Sequence, residues 1–95
     1  SNHVNTQNIT EPFIKNFPNP FSNSTTIQFG IPKDSEIQLI VYDISGKRTE
    51  TMVDAFILKG IYQVIWPANL YPTGFYYYEI IGDGFSLRKK MVISR

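Results

Sequence analysis

Arg88, Lys89 and Lys90 stand in a row between two apolar stretches, one holding Phe85 and Leu87, the other Met91-Val92-Ile93. Adjacent cations on a short apolar strand admit two readings. They can form a recognition element for a partner, or they can guard a sheet edge against pairing with another sheet. A second group, Phe75-Tyr76-Tyr77-Tyr78, offers rings on which sugars or bases could stack. A net charge of +1 argues against a nucleic-acid partner. Catalytic sets do not assemble. The single histidine, His3, lies in a polar leader, and with no cysteine there is neither a thiol nucleophile nor a thiolate metal site. Asp34 and Glu36 read as turn acids. Asp43, Asp54 and Asp83 fall at expected turns and would hold Ca²⁺ only if folding brought them together; their spacing matches no calcium loop. The residues therefore point to no cofactor, no metal and no enzyme.

Those side chains need a scaffold. Ninety-five residues make one domain, and 42% apolar content with seven Phe, six Tyr and one Trp favours a compact β fold over disorder. The charge is uneven: residues 86–95 carry +4 and the remainder −3. Residues 1–12 read as a linker or leader, and 13–95 as the folded domain. Phe13–Phe17 makes a short first strand. Pro18-Asn19-Pro20-Phe21 breaks it, because two prolines remove two donors; the expectation is a rigid corner with Phe17 and Phe21 turned inward. Thr25–Ile31 alternates, with Ile27, Phe29 and Ile31 on one face. Glu36–Asp43 does the same with Ile37, Leu39 and Val41, and leaves Ile40 and Tyr42 on an oddly apolar second face. Asp43-Ile44-Ser45-Gly46 fits a type I turn. Lys47–Val53 reads as a polar edge strand. Asp54–Lys59 reads as a helical turn or irregular crossover. Tyr62, Val64 and Trp66 share a face of the next strand, and Trp66 is the expected core anchor.

The terminal hairpin is the most strongly signalled unit. Gly74–Ile81 is dense in aromatic and β-branched residues, with Tyr76, Tyr78 and Ile80 on one face. Gly82-Asp83-Gly84 suits a primed hairpin turn. In the last strand, alternation from Phe85 points Lys89 at the core, which a bulge or a snorkelling side chain would relieve. About seven short strands with turn signals between them predict an all-β antiparallel sandwich.

Six segments in register resemble a known family: Asn16-Phe17-Pro18-Asn19-Pro20-Phe21, Thr25-Thr26-Ile27, Val41–Lys47, Gly60–Trp66, Gly74–Tyr78 and Lys89–Ile93. They are similar to the C-terminal sorting domain of the type IX secretion system, type A, also called the Por secretion system family. Thr73 stands where the family often has Ser, and Pro67 follows Trp66 where an acid is usual. The resemblance implies an immunoglobulin-like antiparallel β-sandwich that serves as a sorting signal at the end of an exported protein of Bacteroidetes type. Its partners would be an outer-membrane type IX translocon, a sortase-like surface peptidase and an N-terminal passenger domain. The route would run through the periplasm to the cell surface or beyond. By position the matching signal elements are Gly74, Tyr76, Lys89, Lys90 and Met91; the matching structural motif residues are Pro18, Asn19, Pro20, Phe21, Asp43, Gly46 and Trp66. Two other readings of the residues stay open: an immunoglobulin-like spacer, and a carbohydrate-binding module that uses an exposed row of Phe75, Tyr77 and Trp66.

Overall fold

The structure, a computed structural model, describes residues 9–95. His3 and most of the expected leader, 1–8, lie outside the described residues. Alternating apolar side chains shape the rest into seven strands: β1 (Phe13–Phe17), β2 (Ser24–Ile31), β3 (Ser35–Asp43), β4 (Arg48–Ile57), β5 (Gly60–Pro67), β6 (Gly74–Gly82) and β7 (Phe85–Ile93). They build two antiparallel sheets, ordered β1-β2-β5 and β4-β3-β6-β7. The chain changes sheet between β2 and β3, between β4 and β5, and between β5 and β6. Each change folds an apolar face back on the one before it. The product is the sandwich that the alternation predicts.

The core lies between the two sheets. Ile27, Phe29 and Ile31 from β2 meet Ile37, Leu39 and Val41 from β3, Tyr76, Tyr78 and Ile80 from β6, and Met91 and Ile93 from β7. Trp66 is fully buried at one end of this layer. Its ring stands edge-on to Phe21 at 6.0 Å and to Tyr76 at 5.5 Å between centroids. Its indole N–H donates to Glu50 Oε1 at 3.0 Å, so burial leaves no orphaned donor. Truncating such a side chain costs about 3–5 kcal/mol. A domain of this size holds only about 5–14 kcal/mol in total.

Three expectations need correcting. Phe17 is 42% exposed, not pinned inward. Period 2 explains it: Ile14 fills the core from β1, so Phe17, three residues on, belongs to the opposite face. Residues 54–57 are not a helical turn. They continue β4 to Ile57, paired with Ser35–Gln38, so Asp54 lies within a strand and not at a turn. Two register shifts, at Leu39/Ile40 and Val41/Tyr42, place Met52 and Thr49 as extra residues in β4. Each bulge reverses which face a side chain takes, so the strand carries no clean alternation. The β6–β7 turn is not primed. Gly82 pairs with Phe85, and of the two loop residues only Gly84 has positive φ, at 82°. Both primed types require positive φ at the first loop position, Asp83, where it is not found. The Asp83 N–H instead donates to Ser35 Oγ at 2.9 Å, which ties the turn to the start of β3.

Candidate functional site

The proline corner packs against the outer edge of β7. Pro18 and Pro20 have no N–H to offer, so the corner cannot pair as an ordinary strand. The side chain of Asn19 substitutes for backbone. Its Oδ1 accepts the Val92 N–H at 3.0 Å, and its Nδ2 donates to the Lys90 carbonyl at 3.4 Å. Phe21 completes the contact with main-chain bonds, its N–H donating to Val92 O at 3.0 Å and its O accepting from Ser94 N–H at 2.8 Å. The corner is fastened in turn by buried Thr25, whose hydroxyl donates to Pro18 O at 2.9 Å and accepts from Asn16 Nδ2 at 3.1 Å. β7 is thus clamped on both sides over its C-terminal half, by β6 and by the corner.

The N-terminal half of the same edge is different. Backbone groups alternate in direction along a strand. Since Val92 N–H and C=O point away from β6, so do those of Ser86 and Arg88 and the N–H of Lys90. Among the described residues these groups have no main-chain or side-chain partner. The edge is therefore open from Ser86 to Lys90 and closed beyond.

Outside this edge lies a patch of rings and cations on the outer face of β3, β6 and β7. Arg88 sits over the Tyr42 ring at 4.8 Å and near that of Tyr77 at 5.7 Å; Lys90 Nζ lies 4.9 Å from the Phe75 centroid. Glu79 Oε1 accepts the Tyr42 hydroxyl at 2.8 Å and faces Arg88 Nη2 at 3.5 Å. Partial burial and then the bond to Glu79 push the Tyr42 phenol up from its usual range. Exposed cation–ring contacts of this kind contribute about 0.5–1 kcal/mol each. Their effect is to hold Arg88 and Lys90 extended across the sheet.

The five expected signal residues divide by exposure. Lys89 and Lys90 are exposed. Lys89 pairs with Tyr78 in an unbroken register, so no bulge relieves it; its side chain leaves the core side at the sheet edge. Met91 is sealed in the core and Tyr76 is buried, its hydroxyl donating to Pro72 O at 2.7 Å. Gly74 begins β6 with φ at 141°, a conformation that favours glycine. Asp43 and Gly46 form the β3–β4 turn: Asp43 Oδ1 accepts from Ser45 Oγ, Ser45 N–H and Lys47 N–H, and Gly46 takes φ of 90°. The Ser45 hydroxyl, then the Lys47 amide, hold the Asp43 carboxyl below the usual range. Asp43 lies beside Tyr76 and Asp83 beyond Gly82, at opposite ends of β6, so the three aspartates do not meet.

This corner, turn and clamped last strand fall within residues 15–94, the span matched by a family model described as a secretion system C-terminal sorting domain. The chain belongs to that family. No curated protein matches it. As a type IX sorting domain it is a signal for export to the cell surface or outside, and the family is one of signals rather than catalysts. Glu50, Tyr42 and Arg95 were not singled out as site residues. Arg95 clamps the β5–β6 loop, its guanidinium donating to Tyr71 O at 2.7 Å and Ala68 O at 2.8 Å. Glu50 and Arg95 carry no local signal, because each acts on residues distant in the chain; Tyr42 stands out only as part of the apolar second face of β3.

Proposed function

We propose that residues 13–95 are the address of an N-terminal passenger, with 1–12 as the connecting leader. An outer-membrane type IX translocon reads it after transit through the periplasm, and a sortase-like surface peptidase then removes it. One observation carries the reading: β7 is fastened by β6 and the proline corner while Arg88, Lys89 and Lys90 stay outside. A folded body thereby presents its cations at a fixed place, which suits recognition of an already folded cargo. The carbohydrate module has less support, since Trp66 is buried and cannot join Phe75 and Tyr77 in a flat row.

Deleting Lys89–Arg95 is a poor test, because it removes core residues Met91 and Ile93 as well as the Arg95 clamp. Exposed substitutions separate signal from fold. Lys89→Glu with Lys90→Glu behind a reporter is expected to hold the fusion in the periplasm while the domain stays folded, its stability lowered by no more than the lost Lys90–Phe75 contact, about 0.5–1 kcal/mol. Export at the rate of the unaltered chain would overturn the proposal.

A further inference from the structure

The open half of β7 has a length, a polarity and a charge, and together these describe a partner. We propose that Ser86–Lys90 receives an extended acidic segment as an added strand, with Asp or Glu on alternate residues. The inference rests on the sorting reading and names the chemistry of what docks. The backbone supplies the affinity: Ser86 N–H and C=O, Arg88 N–H and C=O, and Lys90 N–H all point outward and are unpartnered among the described residues. Strand addition to an edge uses such groups, while alternate side chains choose the partner.

Three features favour an acidic occupant. Arg88 and Lys90 lie on the outer face and Lys89 on the other, so a docked strand meets a cation on either face. Lys15 of β1, the strand that packs beside β7, is also exposed. Of the acids near this edge among the described residues, Glu79 already accepts from Tyr42 and Arg88, and Asp83 stands beyond the strand, in the β6–β7 turn. A second copy of this chain fits badly. Antiparallel pairing centred on Arg88 sets Arg88 against Arg88 and Ser86 against Lys90, and directly opposed like charges destabilise a sheet. The corner fixes the register, because Asn19 and Phe21 occupy the edge from Lys90 C=O onward and stop the added strand there.

Amide hydrogen exchange on the 95-residue chain tests this. The probes are a short end-blocked peptide of alternating Glu and Val, and its Lys–Val counterpart. In the free chain the Ser86, Arg88 and Lys90 amides should exchange faster than those of Val92 and Ser94. The Glu–Val peptide should slow those three by roughly tenfold or more each, and its affinity should fall with added salt. Ser86→Pro removes one outward donor and no charge, and proline is tolerated where an edge N–H faces solvent. It should weaken peptide binding by roughly tenfold, with Ser86→Ala as the neutral control. Absent protection, equal protection by the Lys–Val peptide, or protection that grows with chain concentration alone would each overturn the inference. An export arm separates it from the sorting reading. If Ser86→Pro exports normally while Lys89→Glu with Lys90→Glu is retained, strand addition fails and the sorting role stands. If both export normally, both fail. Should Ser86→Pro not fold, the exchange experiment on the unaltered chain decides.

Discussion

Asn19→Ala should loosen the C-terminal half of β7 without disturbing the core. The side chain makes two bonds to β7, to Val92 N–H at 3.0 Å and to Lys90 C=O at 3.4 Å. Both are solvent-exposed, so each contributes at the low end of the usual range, about 0.5–1 kcal/mol. Their loss should cost about 1–2 kcal/mol. For a domain of this length that lowers the melting temperature by roughly 5–15 °C. Phe21 keeps its bonds to Val92 O and Ser94 N–H, so the strand loosens and does not detach. Calorimetry gives the stability, and amide exchange at Val92 gives the local opening. Asn19→Asp sharpens the test. It retains the acceptor for Val92 N–H and loses the donor to Lys90 C=O, so Val92 should stay protected while about half the stability loss remains. An Asn19→Ala chain with unaltered melting and unaltered Val92 exchange would refute the clamp.

Other outcomes follow from the core and the titrating groups. Trp66→Ala should cost about 3–5 kcal/mol, a large share of the total stability, while Trp66→Phe, which keeps a ring and loses the bond to Glu50, should cost less; denaturant melts rank the two. Burial pushes the Tyr78 phenol up to about 12. The neutral form is favoured in the fold, so this group costs no stability below the unfolded value near 10. Above it the unfolded chain loses the proton first, and stability falls as pH rises toward 12. Tyr78→Phe should flatten part of that alkaline decline. Asp43 shifts the other way: its contribution is present above the ordinary carboxyl range and is lost on acidification through the lowered folded value, so Asp43→Asn should remove part of the acid dependence.

Much of this fold was legible because a half-buried strand must alternate. β2, β3 and β6 show their inward faces as Ile27-Phe29-Ile31, Ile37-Leu39-Val41 and Tyr76-Tyr78-Ile80, and those faces make the core. β4 was not legible past Val53, because Asp54, Ala55 and Phe56 are all exposed on an edge strand and leave no buried-exposed alternation to read, although they pair regularly with β3. Ile40 looked out of place on an outward face; it is fully buried there, between Thr51 and Glu79 on the adjoining strands. The cations of the candidate site were visible as residues, and an accessible edge was expected of the terminal hairpin, but the point at which that edge closes was not. That depends on Asn19, more than seventy residues away in sequence, and on which backbone groups it reaches. The proline corner was legible as a break, and its role as a clamp only in three dimensions.

The central claim is that a folded sandwich displays β7 as an export address. Its most direct measurement is the export rate of a reporter carrying this domain, with and without Lys89→Glu and Lys90→Glu, in hosts with and without the translocon. The account predicts export of the unaltered fusion only where the translocon is present, and periplasmic retention of a double variant that still folds. Equal export of both fusions, or export from the host that lacks the translocon, would contradict it.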